Sequence, residues 1–333
     1  MTPAVPFLAL GGMLVSFAIT VSLFAPFMGL LRRFGLVKHP RAEEPGSHGV
    51  KRGTPTAAGV LVIIVVALVT AGFYFLLPAE QRGDYVVQTL TPLLALVGVG
   101  ALGALDDYLD AIFGHGIRGR HKIVWQTIVA VAGAIYIQRH FAVTGIFVPL
   151  AGEWEIGATA FVLIATIAIV GTSNGVNLTD GLDGLAGGTL IFSFLSFAFI
   201  AAARGFPFLL IFCTIVTGAI AAFLWFNVHP AEAFMGDAGA LGLGATLAVV
   251  ALTTGFILLL LLAGIIFVAV TLSVIIQVAG FRIWHRRVFR MAPLHLHFEL
   301  IGWPEEKVTI RFWLIGALAG IVAAILAFAT PHP

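Results

Sequence analysis

Apolar runs of about twenty residues recur along the whole chain, and no other feature restricts its fold as much. A helix of that length spans roughly 30 Å, the thickness of a bilayer's hydrocarbon core. It also satisfies its own backbone polar groups where no water can do so. About ten such runs can be marked, centred near residues 18, 66, 97, 131, 165, 194, 216, 246, 270 and 320. Hydrophobic residues make up 60% of the 333 and charged ones 10%, with a mean hydropathy of +1.06, whereas a soluble domain is roughly 25% charged. The expectation is an all-α integral membrane protein with about ten transmembrane helices, forming one polytopic domain over residues 1–333. The first run starts almost at Met1 and is too long, with too basic a distal flank, for a cleaved signal peptide, so it is read as a true span. Cys213 stands alone in an apolar run, which leaves neither a disulfide framework nor a thiolate metal site.

Charge is distributed unevenly between the two ends of these runs. With the first two spans joined in the cytoplasm, only Arg82, Arg139 and Arg204 of the 18 basic residues fall on the opposite face. The positive-inside rule then puts both termini outside the cytoplasm. Of the 16 acidic residues, all but Glu80, Asp84, Glu153 and Glu155 share the basic face. That rule makes no such demand of acids, so their placement points to chemistry on the cytoplasmic loops.

Five polar segments on that face carry the candidate residues. The third run ends in Asp106-Asp107-Tyr108-Leu109-Asp110, followed by Arg118, Arg120 and Lys122; ionisable groups at membrane depth are costly and tend to be functional. Gly98-x-Gly100-x-x-Gly103 in the same run has the form of a dinucleotide fingerprint but no preceding strand, and close helix packing explains it better. Between the fifth and sixth runs, Ser173 to Gly184 reads as a loop holding Asn174, Asn177, Asp180 and Asp183, with glycines that let a ligand approach the backbone. Asn227, His229 and Phe234-Met235-Gly236-Asp237 precede the eighth run. Asp237 fits either a helix cap or one of the few carboxylates that Mg²⁺ needs beside substrate phosphates. His295 and His297 follow four arginines and Pro293, a spacing that suits phosphate better than zinc. Ser47, His48, Lys51, Arg52, Thr54 and Thr56 form a basic, hydroxyl-rich run suited to phosphate.

Taken in order, these segments resemble the phospho-N-acetylmuramoyl-pentapeptide transferase family over nearly the whole chain. The resemblance rests on Ser47-His48-x-x-Lys51-x-Gly53-Thr54-Pro55-Thr56, Asp106-Asp107-Tyr108-Leu109, Asn174-x-x-Asn177-Leu178-Thr179-Asp180-Gly181-Leu182-Asp183-Gly184, Phe234-Met235-Gly236-Asp237 and Met291-Ala292-Pro293-Leu294-His295-x-His297-Phe298-Glu299. It implies a multi-pass enzyme of the bacterial cytoplasmic (inner) membrane that uses Mg²⁺. Such an enzyme moves phospho-MurNAc-pentapeptide from UDP-MurNAc-pentapeptide to undecaprenyl phosphate, giving lipid I and UMP. By resemblance Asp237 is the metal ligand, and Asp106 and Asp107 face the lipid phosphate. Lys51, Asn177, Asp180, Gly181, Leu182, Asp183, Asn227 and Phe234 line the nucleotide, with Phe234 a candidate for stacking on uracil, and Asn174 is a further substrate-binding candidate. Lys122, Thr56, His295 and His297 serve the phosphates and sugar. Membrane lipid is the other partner; nucleic acid is not expected, and self-association into a homodimer is left open. The chain departs from the family pattern at Leu296, where a third histidine is usual, and at Asp110, Ala238, Ala240 and Ala57-Ala58. A sister transferase using UDP-GlcNAc or another UDP-HexNAc is the nearest alternative, and an ion-coupled transporter the distant one. Against the transporter, the acids sit at the membrane faces, most of them at one, and none at the midplane.

Overall fold

The computed structural model describes residues 4–37, 53–141 and 143–330. Lys51, with Ser47 and His48, lies outside the described residues. Ten long helices stand where the ten apolar runs were marked: α1 (Ala4–Arg33), α2 (Gly59–Leu76), α3 (Arg82–Phe113), α4 (Gly119–His140), α5 (Ala158–Thr179), α6 (Leu185–Ala203), α7 (Pro207–Asn227), α8 (Gly236–Thr253), α10 (Ile265–Trp284) and α12 (Glu305–Ala329). The short helices α9 (Leu260–Ala263) and α11 (Leu294–Leu300) precede α10 and α12. Among the described residues, nine of the long helices are long and apolar enough to cross a membrane. The tenth, α4, has 22 residues but starts with Gly119-Arg120-His121-Lys122 and ends with Gln138-Arg139-His140, which dilutes its apolar centre. Outer helices expose large apolar side chains such as Phe7, Leu76, Leu163 and Leu318, a surface suited to lipid and not to water.

Helix α8 is the centre of the bundle. Every residue from Ala238 to Thr253 is buried, and the small side chains of its first turns let α2, α3 and α5 approach its backbone closely. Gly103 of α3 shows why those glycines exist: a Cβ there would collide with the backbone of Asp237 and Ala238. At Gly100 and Gly103 the Gly98-x-Gly100-x-x-Gly103 pattern is thus a packing pattern, as the sequence suggested. Gly103→Ala is expected to destabilise the protein by roughly 1 to 3 kcal/mol through overpacking, seen as a lower midpoint of thermal unfolding in detergent. Gly98→Ala is the control, because a Cβ there meets only the Val129 side chain at 3.6 Å.

Two segments differ from the sequence reading. The residues expected as a loop from Ser173 onward continue α5 as far as Thr179. Gly175 is there because α10 passes against it, with Thr271 and Phe267 where a Cβ would go, and Ser173 donates to the Leu241 carbonyl of α8 at 2.9 Å. Tertiary packing, not a turn, accounts for these polar and small residues. The second difference is a hairpin between α4 and α5, β1 (Gly145–Val148) pairing antiparallel with β2 (Gly152–Glu155). Arg204, after α6, stacks over Phe147 at 4.5 Å and Phe256 at 5.5 Å, which ties the hairpin to the end of the bundle away from the acidic cluster.

Candidate active site

At the other end, the C-terminal parts of α3 and α5 meet the N-terminal turns of α4, α8 and α12. Asp107 accepts the Asp237 N–H at 2.9 Å on one oxygen and the Ala238 N–H at 3.0 Å on the other. Its carboxylate therefore caps the first turn of α8, where a negative charge also meets the positive end of the helix dipole. This differs from the role implied by resemblance: Asp107 is buried and both its oxygens are bonded to backbone. Asp237, the residue that the sequence left between metal ligand and cap, is itself the residue being held.

The cap presents the Asp237 side chain to three others. Lys122 Nζ lies 2.6 Å from Asp237 Oδ2 and 2.6 Å from Asp106 Oδ2, and Asn177 Nδ2 donates to Asp237 Oδ1 at 2.8 Å. The other oxygen of Asp106 accepts the Ile117 N–H, and a Cβ at Gly116 would collide with that carboxylate. The α3–α4 connection thus folds tightly around Asp106. Asp106 has a side-chain exposure of 9% and Asp237 of 25%, so Asp237 is the carboxylate that a ligand reaches from outside. The cation on which the two carboxylates converge is the Lys122 ammonium; a carboxylate oxygen such as those of Asp237 is also a hard donor of the kind Mg²⁺ takes.

Beside this cluster lies the 180–184 segment, which is braced from two directions. Asp183 Oδ2 lies 2.9 Å from His229 Nδ1 and accepts the Ala231 N–H at 3.1 Å, while the Asp183 N–H donates to Glu305 Oε1 at 2.6 Å. Thr309 and Trp313, further along α12, donate to the Asp183 and Gly184 carbonyls at 3.3 and 3.2 Å. Asn227 accepts the Gly184 N–H at 3.1 Å and donates to the Ala233 carbonyl at 2.8 Å. Asp183, His229 and Glu305 have donor atoms within 4.8 Å of one another, a set that could hold a metal; the bonds just given already knit it together.

The candidates from the sequence therefore separate into groups. Lys122, Asp106, Asp237 and Asn177 converge on one point. Asn227 and Asp183 lie nearby, with the bonds described for them made inside the protein; Asn174 is turned into the bundle, its Nδ2 donating to Gln126 Oε1 at 2.6 Å and to the Val170 carbonyl at 2.8 Å; Leu182 is buried in a small apolar cluster with Leu185, Ile266, Val270, Val308 and Phe312. Asp180 follows directly on α5. Thr56 and Phe234 are brought side by side by backbone pairing: the Phe234 N–H donates to Pro55 O at 2.9 Å and the Ala58 N–H to Phe234 O at 3.0 Å. His295 and His297 sit in helix α11, not in a loop, and point apart as an i, i+2 pair on a helix must. His295 is buried against Gly181, where a Cβ would collide with its ring; His297 Nδ1 accepts the Arg290 N–H at 3.1 Å.

Sequence reasoning missed Glu305, Thr309, Trp313 and Gln126. Glu305-Glu306 directly after Pro304 has the form of a helix start, which is the local signal that could have drawn attention to Glu305. Gln126 stands one helical turn from Lys122, the spacing at which neighbours share a face.

The description "glycosyl transferase family 4" matches residues 89–255 of the chain, a stretch that holds Asp106, Asp107, Lys122, Asn177 and Asp237. A phospho-N-acetylmuramoyl-pentapeptide-transferase of Geobacillus kaustophilus is 42% identical over 310 residues, 92% of this chain and 94% of that protein. Proteins of the same name from Geobacillus sp. (strain WCH70) and Desulforamulus reducens are 40% and 39% identical, covering 92% and 93% of this chain and 93% of each relative.

Proposed function

The chain belongs to the phospho-N-acetylmuramoyl-pentapeptide transferase family, and we infer from this and from its site that it makes lipid I for peptidoglycan synthesis. In that reaction phospho-MurNAc-pentapeptide passes from UDP to undecaprenyl phosphate and UMP leaves. The observation that carries the reading is the convergence of Lys122, Asn177 and Asp106 on Asp237 at the mouth of the bundle.

Phosphoryl transfer needs little covalent help from a protein; positioning and neutralisation of charge are the main tasks. The acceptor is a phosphate monoester whose second pKa is near 6, so at neutral pH it is already an anion able to attack. We place the Lys122 ammonium against the phosphate oxygens, where it offsets repulsion between two anions and stabilises charge on the transferring group. Asp106 holds that ammonium in place and Asn177 fixes the rotamer of Asp237. Asp237 is the residue that would hold Mg²⁺, and the ion would add further neutralisation of the phosphates when bound. Phe234, Asn177 and the braced 180–184 segment form the nucleotide side of the site in this reading. Transfer is direct from donor to lipid phosphate; a phospho-sugar adduct trapped on Asp106 without lipid acceptor would overturn that route. In this reading the enzyme spans a bacterial inner membrane with this end facing the cytoplasm and both termini outside, an orientation that the excess of basic residues at this end supports.

The test is UMP release by purified protein given undecaprenyl phosphate, Mg²⁺ and either UDP-MurNAc-pentapeptide or UDP-GlcNAc. Release is expected with the first donor only, and is expected to stop when EDTA removes the metal. No UMP with either donor overturns the reading.

A further inference from the structure

One polar contact in the membrane interior has no part in the chemistry just described. Gln126 of α4 is 1% exposed, and its Oε1 accepts a hydrogen bond of 2.6 Å from Asn174 Nδ2 of α5. Asn174 Nδ2 also donates to the Val170 carbonyl of its own helix at 2.8 Å. The Nε2 of Gln126 has no hydrogen-bond partner among the described residues. A buried N–H left without a partner is costly, and a leucine of similar size would avoid that cost. A glutamine at this position therefore suggests that the direction of its one good bond matters.

The surroundings of α4 show what that direction could control. Its buried residues are Gln126, Ala130, Ala134 and Ile137, a narrow stripe whose two alanines offer small knobs with little to prevent rotation or sliding. Ile123, Val124, Trp125 and Ile128 are exposed. On the α3 side Trp125 Nε1 donates to the Gly98 carbonyl at 3.0 Å; on the α5 side the polar contact is Gln126 to Asn174. Lys122 is one turn above Gln126, and Asn177 is three residues above Asn174. One turn toward the mouth, these two meet at the same carboxylate, at 2.6 and 2.8 Å from Asp237. The contact of α4 with α5 inside the bundle thus lies one turn from the contact at the site.

We propose that Gln126 is a positioning residue for Lys122: its bond to Asn174 fixes the rotation and height of α4 so that the ammonium reaches Asp106 and Asp237 together. This rests on the transferase reading. A small error in placing a reacting group can cost roughly a hundredfold in rate, and a helix turned slightly about its axis moves a long side chain by that kind of distance.

The test compares wild type, Gln126→Leu and the exchanged pair Gln126→Asn with Asn174→Gln in lipid nanodiscs. Measured quantities are kcat and KM for UDP-MurNAc-pentapeptide and the thermal unfolding midpoint. For Gln126→Leu, kcat is expected to fall between about tenfold and a hundredfold, with KM within about twofold and an unchanged or higher midpoint. Asn174 keeps Val170 as acceptor, and the leucine removes the orphaned N–H. The exchanged pair restores a bond of the same total length and is expected to recover most of kcat. An unchanged kcat in Gln126→Leu overturns the proposal, as does a loss that only follows the midpoint or that the exchanged pair fails to rescue. A wild type that releases no UMP overturns instead the transferase reading on which it rests.

Discussion

Lys122→Met is expected to lower UMP release by about three orders of magnitude or more, the largest effect of any single substitution considered. Removing one preorganised donor of transition-state charge costs roughly a hundred- to a thousandfold in rate, and Lys122 has a second task. It is the one cation within 2.6 Å of both Asp106 and Asp237 among the described residues. Without it two carboxylates face each other with no charge between them, and the site that remains is itself rearranged. Methionine keeps most of the stem length, so the loss belongs to the ammonium. Measured at saturating donor and lipid, the defect should lie in kcat. Lys122→Arg is expected to recover little, because a planar fork cannot occupy the point where the two oxygens converge. A Lys122→Met enzyme within tenfold of wild type would remove Lys122 from the chemistry.

The second large effect concerns Asp107. If it faced the lipid phosphate, Asp107→Asn would alter lipid affinity and leave stability alone. Its two bonds to the Asp237 and Ala238 N–H groups predict the opposite. Asp107→Ala removes the acceptors of two N–H groups in the first turn of α8, at a cost of about 1 to 3 kcal/mol. It also frees the first turn of α8, on which Asp237 stands. The expected result is a lower unfolding midpoint together with a fall of about a hundredfold or more in kcat, while KM for undecaprenyl phosphate stays near wild type. Asp107→Asn keeps one acceptor and should fall between the two. A normal midpoint with a raised lipid KM would return Asp107 to the role that resemblance implied.

Much of the fold could be read from the sequence because lipid imposes one rule on every segment. Apolar runs long enough to span became helices, including the charged-ended α4. The mouth of the site was legible for a related reason: Asp106, Asp107, Asp237 and Lys122 stand out against an apolar chain. What each acid does was not legible. Asp106 and Asp107 are neighbours in sequence, yet helical geometry turns one toward Lys122 and the other toward the start of α8. Ser173, Gly175 and Asn174 looked like a loop because small and polar residues usually are; here they serve neighbouring helices. The bracing residues Glu305, Thr309 and Trp313 stand on α12, far along the chain; the helix-start form of Pro304-Glu305-Glu306 marks where α12 begins but not that it holds the 180–184 segment. Gln126 was hidden by its ordinariness, one glutamine in a helix that is mostly apolar.

The bond from the Asp183 N–H to Glu305 joins residues 122 positions apart, and it bears on how the protein is made. A growing chain places α5 and α6 in the bilayer long before the ribosome reaches α12. Until that last helix arrives, the segment between them lacks Glu305, Thr309 and Trp313. If that segment is the nucleotide side of the site, as proposed, its bracing by Glu305, Thr309 and Trp313 comes only once α12 is in place.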